Sequence, residues 1–277
     1  MRRNRNTLEG ADVAPSARAR FTGACLPLGY NCASWHEQLQ CFSEAATPTC
    51  LAGFGMRVAL LVTFLIDLMR PRIGFAALKL LEAAGCEVTV PATQTCCGQP
   101  GYNAGARHAA RALARKVLDE FEAFEHVVVP SGSCAGMICT HYPELLSDQP
   151  AEVARAQRLA GRTYELTDFL LNIVKLERVP GSYNGTVTYH DSCSGLREVG
   201  IKSQPRALLA KVAGLSLKEM NEAETCCGFG GTFALEFGDI SAHIAERKCA
   251  NIADSGADAV VLGDLGCMLN KIGRAHV

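Results

Sequence analysis

The chain has 277 residues and a nearly balanced charge, with 27 Lys and Arg, 28 Asp and Glu, and a formal net charge of -1. This balance gives no electrostatic reason to expect a nucleic-acid partner or an anionic membrane surface. The longest apolar run, residues 58–66, is too short to span a bilayer, and no secretory signal pattern precedes it. We therefore expect a cytoplasmic protein without a transmembrane segment.

Cysteine is the unusual feature of the composition, with 14 residues in the chain. In a small secreted protein this number would indicate disulfides, but this chain is larger and shows no signal peptide. Two pairs of cysteines are directly adjacent, at Cys96-Cys97 and Cys226-Cys227. Adjacent cysteines rarely bridge each other, so the pattern favours reduced thiolates that bind a metal or a cluster.

The two ends of the chain differ from the rest. Residues 1–55 show no clear periodicity, and the spacings of their cysteines match no known metal signature. We expect a non-native or disordered leader here, with Met56 as the true start; the competing interpretation is an extension that binds its own metal. Residues 272–277 have the sequence that a common sequencing adapter encodes, so we expect an adapter-derived tail.

Residues 56–150 are predicted to fold in the order strand, helix, strand, loop, helix, strand. The apolar run 58–66 is typical of a strand that is covered on both faces. The helix after it is expected to begin at Pro71 and to end at Gly85. The later elements are a strand at 87–90, a Cys-Cys-Gly loop at 96–98, a helix at 104–124 and a strand at 126–130.

Residues 186–271 repeat this order after a helical connector, residues 151–185. The repeat has strands at 186–189, 215–220 and 259–262, helices at 205–212 and 241–254, and a second Cys-Cys-Gly loop at 226–228. Strands that alternate with helices are typical of parallel sheets. The sequence therefore predicts an α/β fold with two pseudo-symmetric, Rossmann-like halves, 56–150 and 186–271.

The cysteines follow the same repeat. The second half has a cysteine 33 residues before its Cys-Cys pair and another 40 residues after it, whereas the first half has one 37 residues after its pair. The position 32 residues before the first pair is Phe64. The repeated set is Cys193, Cys226, Cys227 and Cys267 in the second half and Cys96, Cys97 and Cys134 in the first. A match at three of four positions indicates an internal duplication.

Each of these cysteines follows a predicted strand, and ligands of open parallel sheets bind beyond the carboxyl ends of the strands. The glycine after each pair allows a tight turn whose amide can hydrogen-bond a cluster sulfur. Structural zinc usually uses close Cys-x-x-Cys spacing, so the long spacers favour an iron–sulfur cluster. A zinc-stabilised scaffold and a thiol/disulfide reductase are the alternative interpretations.

His190 and Asp191 border Cys193 and are candidates for a catalytic role. They are positioned to deliver a proton or to hydrogen-bond the cluster. The alternative is that they are polar residues at a strand end whose hydrogen bonds go to the backbone.

Four motifs carry a resemblance to a known family: CCGQP at 96–100, PSGSCAG at 130–136, HDSCSGLRE at 190–198 and CCGFGG at 226–231. With them, the chain from Met56 to about Asn270 resembles the lactate-utilization protein A family. That family is related to the cysteine-rich subunit of heterodisulfide reductase and to the iron–sulfur subunit of glycolate oxidase, which share the CCG cysteine-rich domain.

The resemblance implies an iron–sulfur electron-transfer subunit of a system that oxidises L-lactate, a small 2-hydroxy acid, to pyruvate. Its partners would be a ferredoxin-like iron–sulfur subunit and a third lactate-utilization subunit. It also implies one [4Fe-4S] cluster on the four cysteines of the second half and another on the three of the first half. Phe64 replaces the first cysteine of the family pattern, so the second of these clusters would be absent, incomplete or completed by another group.

Overall fold

The computed structural model describes residues 55–272. The predicted leader and the predicted tail therefore lie outside the described residues, apart from Gly55 and Ile272 at the two boundaries.

The first half forms a four-stranded parallel sheet in the order β2-β1-β3-β4. Its strands are β1 (Met56–Leu60), β2 (Cys86–Thr89), β3 (His126–Val129) and β4 (Thr163–Glu165). The three valines of β3 are all buried, as expected for β-branched residues in a strand with both faces covered. The first strand in sequence is thus central, and its carboxyl end lies between those of its two neighbours.

Helices cover this sheet and complete the core of the first half. They are α1 (Phe64–Met69), α2 (Pro71–Ala83), α3 (Gln99–Asn103), α4 (Arg107–Phe121), α5 (Gly132–Gly136), α6 (Tyr142–Leu145), α7 (Pro150–Ala160) and α8 (Leu166–Asp168). Two π-helical turns, Met137–His141 and Phe169–Ile173, extend α5 and α8. Helix α4 buries Ala110, Ala114 and Val117 on one face, the spacing that a helix needs to pack against a sheet.

The second half forms a three-stranded parallel sheet in the order β6-β5-β7, again with its first strand in the centre. The strands are β5 (Ser182–His190), β6 (Ala213–Leu217) and β7 (Ala259–Leu262). The helices are α9 (Cys193–Val199), α10 (Ser203–Leu209), α11 (Phe233–Glu236), α12 (Gly238–Asp254) and α13 (Leu265–Ile272). The predicted α/β class, the parallel sheets and the two pseudo-symmetric halves are confirmed. None of the helices between residues 55 and 272 is long and apolar enough to cross a membrane.

The first predicted strand is partly wrong. The apolar pattern predicts one strand over residues 58–66, but β1 ends at Leu60 and α1 begins at Phe64. Thr63 lies between them with an extended backbone, φ -68° and ψ 149°, and precedes the first helical residue. The apolar run continues through the turn because its side chains are still buried, so hydrophobicity alone cannot locate the end of the strand.

Several short helices that follow the strands are absent from the sequence prediction. Helices α5, α9 and α13 each begin within a few residues of a strand end, and α3 follows the first Cys-Cys-Gly loop. The predicted helix 104–124 begins only at Arg107. Helices of five to eight residues contain too few turns for their apolar residues to show a clear period.

Candidate metal centre

The two Cys-Cys-Gly loops have the same local geometry. Gly98 and Gly228 have φ values of +85° and +83°, in the left-handed region that favours glycine. In each loop the glycine N–H donates to the sulfur of the first cysteine, at 3.4 Å for Cys96 and 3.3 Å for Cys226. A Cβ atom on Gly228 would lie only 2.7 Å from the carbonyl oxygen of Ser241. Glycine therefore lets the loop pack against its helix and point both thiols to one side.

The four cysteines of the second half lie together. Cys193 is the first residue of α9, where Ser192 caps the helix by accepting a hydrogen bond from the N–H of Gly195 at 3.2 Å. Its thiol contacts Cys226, which contacts Cys227 in turn. Cys227 contacts Cys267, which lies in the first turn of α13. Two helix starts and one loop thus deliver four sulfur atoms to a single point beyond the strand ends.

Hydrogen bonds among these thiols shift their pKa values in opposite directions. Hydrogen bonds from Cys193 and Cys227 lower the pKa of Cys226 below its ordinary value. The same bonds, together with burial, raise the pKa values of Cys193 and Cys227. One sulfur is therefore ready to bind a cation, and a bound cation would allow its neighbours to lose their protons as well.

His190 is fully buried beside this group, at the carboxyl end of β5. Its nearest ring nitrogen lies within 4.8 Å of the sulfur atoms of Cys227 and Cys267. Among residues 55–272 neither ring nitrogen has a hydrogen-bond partner of ordinary geometry, although the backbone of Ala223 lies close enough to act weakly on the imidazole. Burial, with a further contribution from the charges of Lys271 and Lys248, lowers the pKa of His190 to about 3. A neutral, buried and unpartnered imidazole is costly, so a metal or cluster at this point would supply the missing partner.

Asp191 faces a different partner. Both of its carboxylate oxygens accept hydrogen bonds from Arg206, each at 2.8 Å, and its side chain is completely buried. The guanidinium group also packs over the ring of Tyr189. A buried bidentate ion pair of this kind stabilises a fixed geometry. Of the two residues proposed beside Cys193, the structure brings His190 to the thiols and engages Asp191 with Arg206.

The first half brings three thiols together. The sulfur atoms of Cys97 and Cys134 are 3.1 Å apart, too far for a disulfide bond, and Cys96 contacts Cys97. Contact with Cys134 raises the pKa of Cys97, and contact with Cys97 raises that of Cys96. Phe64 is the first residue of α1, just as Cys193 is the first residue of α9. The side chain of Phe64 is 52% exposed and offers no ligand atom.

The carboxylate of Asp264 joins the two halves beside the thiols. One oxygen accepts hydrogen bonds from the hydroxyl of Ser131 and the N–H of Ser133, each at 3.0 Å. The other accepts from the N–H groups of Gly266 at 3.0 Å and Cys267 at 3.4 Å. Asp264 therefore fixes the start of the helix that carries Cys267 against the helix that carries Cys134. Sequence reasoning missed this residue, although a short acidic residue before a helix is a typical capping signal.

A cavity of about 50 Å³ lies between the halves. Its walls include Gln99, Asn103 and Ser133 from the first half and Cys193, Cys227 and Cys267 from the second. Three of the four second-half cysteines, Cys193, Cys227 and Cys267, therefore line a cavity at the interface of the two halves.

Comparison with known proteins agrees with this duplicated site. The profile of the CCG cysteine-rich domain matches residues 60–139 and 187–270. A lactate utilization protein A from Bacillus cytotoxicus is 42% identical over 79% of this chain and 91% of its own length. Proteins of the same name from Halalkalibacterium halodurans and Geobacillus kaustophilus are 43% and 44% identical, and the alignments cover 89% and 91% of those proteins.

The chain belongs to the lactate utilization protein A family.

Each of the two CCG matches in this family member lies within one structural half. The first match runs from the end of β1 through Cys134, and the second runs from β5 through Cys267. Each includes one Cys-Cys-Gly loop and the helix start that carries the following cysteine. The family assignment and the thiol geometry thus describe the same duplicated unit.

The donor set of the second half fits a metal or a metal cluster. Four thiol sulfurs are soft ligands that suit zinc, copper(I) and iron–sulfur clusters. The loop amide that donates to Cys226 and the buried imidazole of His190 are the kind of surrounding groups that orient ligands and tune a bound metal. The first half of this lactate utilization protein A family member has three such sulfurs.

Proposed function

We propose that this chain is the iron–sulfur electron-transfer subunit of a multi-component system that oxidises L-lactate to pyruvate. The observation that carries the proposal is the convergence of Cys193, Cys226, Cys227 and Cys267 beyond the ends of parallel strands. The similarity to lactate utilization protein A over most of the chain supports the choice of system.

The four cysteines of the second half would hold a [4Fe-4S] cluster. Such a cluster supplies one-electron redox chemistry whose potential depends on its hydrogen bonds and burial. The chain keeps the ligands in place through the glycine of the loop and through the N–H groups that Asp264 fixes. The three cysteines of the first half, Cys96, Cys97 and Cys134, would not hold a second cluster, because Phe64 replaces a ligand.

Oxidation of L-lactate to pyruvate releases two electrons and two protons. We assign that chemistry to the assembled system and electron relay to this chain. The partners would be a ferredoxin-like iron–sulfur subunit and a third lactate-utilization subunit, all in the cytoplasm. The cavity between the halves gives a small molecule or an electron partner access to the second-half thiols.

The test is anaerobic reduction of the chain by L-lactate in the presence of both partner subunits, followed by electron paramagnetic resonance. The expected result is a reduced-cluster signal that requires lactate and all three proteins and that disappears in Cys267→Ser. Absence of lactate-dependent reduction in the wild-type assembly would overturn the proposal. Reduction of disulfides by the chain alone would instead indicate a thiol/disulfide reductase, and bound zinc without acid-labile sulfide a zinc-stabilised scaffold.

A further inference from the structure

Two lysines are buried beside the second-half thiols. Lys248 of α12 is 1% exposed and Lys271 of α13 is 4% exposed. Fully buried lysines are rare unless they are paired. These two donate to backbone carbonyls: Lys248 to Glu222 and Ala223, and Lys271 to Cys267 at 3.4 Å. Backbone carbonyls satisfy these hydrogen bonds, and among residues 55–272 neither ammonium group forms a salt bridge.

The nearby carboxylates have other partners, and that of Asp264 accepts hydrogen bonds from two hydroxyl or N–H groups on each oxygen. Asp191 is paired with Arg206, and Glu222 with Arg247. Burial lowers the pKa values of both lysines, and nearby negative groups raise them: first the carboxylate of Glu222 for Lys248 and the sulfur of Cys227 for Lys271. Cys227 is the group that acts in this direction on both lysines, and Lys271 also donates to the carbonyl of Cys267.

The first half lacks these charges. Gly98 faces Ala110 and Leu113 on its helix, as Gly228 faces Ser241 and Ile244. Lys248 lies four residues after Ile244, and the position four residues after Leu113 is Val117.

The helix that carries Cys267 also has a lysine where the matching helix of the first half has an apolar residue. Lys271 lies four residues after Cys267, and the position four residues after Cys134 is Ile138. Val117 and Ile138 are both buried, at 1% and 0% exposure. The duplicated fold thus accepts apolar side chains at both positions, and the packing of the fold does not itself require lysine.

We propose that Lys248 and Lys271 are built-in counter-cations that neutralise an anionic thiolate-bound cluster in the second half and raise its reduction potential. The inference rests on the proposed function. Four thiolates on a [4Fe-4S] core of charge 2+ leave a net charge of 2-, which two ammonium groups balance. Reduction adds one electron and one further negative charge, which nearby positive charges favour in a medium of low dielectric constant. The first half would offer its cysteines no such compensation.

The test uses the anaerobically loaded full chain and the variants Lys248→Met and Lys271→Met. Lys211→Met is the matched control, because Lys211 also donates to a backbone carbonyl, that of Leu176 in the connector. Potentiometric titration with spectroscopic detection is expected to show a more negative midpoint in both variants. We expect at least a tenfold change in the one-electron equilibrium, about 59 mV, and no shift in the control.

A second measurement, the melting temperature with and without the cluster, tests the proposal in a variant that binds the cluster poorly. The rise in melting temperature on cluster loading is expected to be smaller in each variant than in wild type, and unchanged in Lys211→Met. A merely structural role would lower the melting temperatures of the loaded and cluster-free forms equally. If both lysine variants keep the wild-type midpoint potential and the wild-type rise in melting temperature on cluster loading, this inference is wrong and the proposed function is unaffected. A wild-type chain that binds no cluster would overturn the proposed function and this inference with it.

Discussion

Replacement of Asp264 by asparagine tests the junction between the halves. The carboxylate is 6% exposed and accepts four hydrogen bonds, two on each oxygen. Asparagine has nearly the same shape but only one acceptor oxygen. In one orientation the NH₂ group faces the N–H groups of Gly266 and Cys267, which lose their acceptor; in the other it faces the N–H of Ser133, which loses its acceptor, and the hydroxyl of Ser131, which can turn to accept.

The expected cost follows from the bonds that are lost. A hydrogen bond to a charged group contributes about 1.5–3 kcal/mol, and a buried donor left without a partner costs a comparable amount. One donor left without an acceptor, together with the loss of charge from the remaining bonds, should lower the free energy of unfolding by about 2–5 kcal/mol. Ser131→Ala is the matched control, since it removes only one of the four donors and should cost about 1–3 kcal/mol.

The assay is equilibrium unfolding of the cluster-free chain in urea, with the free energy extrapolated to water. The asparagine variant should be the less stable of the two by a clear margin. An Asp264→Asn chain that loses less than about 1 kcal/mol, or no more than Ser131→Ala, would refute the role of this carboxylate in joining the halves.

Three further predictions follow from single residues. Burial raises the pKa of Glu165 to about 7, so its contribution to stability is present at low pH and is lost as the pH rises from about 4.5 to about 7. The difference in unfolding free energy between wild type and Glu165→Gln should therefore change by about 3 kcal/mol across that range, and a constant difference would contradict this. Phe64→Cys restores the fourth thiol of the first half and should raise the bound iron from about four to about eight atoms per chain. Leu68→Cys, on the same exposed helix, should not do so, and equal iron in the two variants would contradict the prediction. His190→Leu removes two unpartnered buried nitrogens and should leave the cluster-free chain as stable or about 1–3 kcal/mol more stable; a clear loss of stability in chemical denaturation would show that the imidazole has a partner.

The approach of the thiols could be predicted from the sequence. Each cysteine follows a strand in a repeated strand–helix pattern, and parallel strands with crossover helices bring their carboxyl ends to one edge. The glycine after each Cys-Cys pair also predicts a tight turn from the sequence alone, because glycine readily adopts a left-handed backbone conformation. The fold class and the grouping of the cysteines therefore follow from local pattern and chain topology.

The surroundings of the thiols could not be predicted in this way. Lysines on predicted helices are normally solvated, so nothing in the sequence indicates that Lys248 and Lys271 are buried. Asp264 gives a local capping signal, but its bonds to Ser131 and Ser133 join residues of different halves that are 133 and 131 positions apart in sequence. These contacts depend on how the two halves pack, which local patterns do not specify.

The surroundings of Phe64 could not be predicted from the sequence either. The repeat identifies it as the position of a missing thiol, but the sequence does not say where its side chain lies. The structure places it at the start of α1 and half exposed, so it leaves three thiols in the first half without filling the place of the fourth.

The most direct test of the central claim is the content of iron, acid-labile sulfide and zinc in the full chain purified without oxygen, with Cys267→Ser as the control. We expect about four iron atoms and about four sulfides per wild-type chain, with a strong decrease in the serine variant. A wild-type chain with no iron, or with zinc and no acid-labile sulfide, would contradict the assignment of an iron–sulfur cluster to Cys193, Cys226, Cys227 and Cys267.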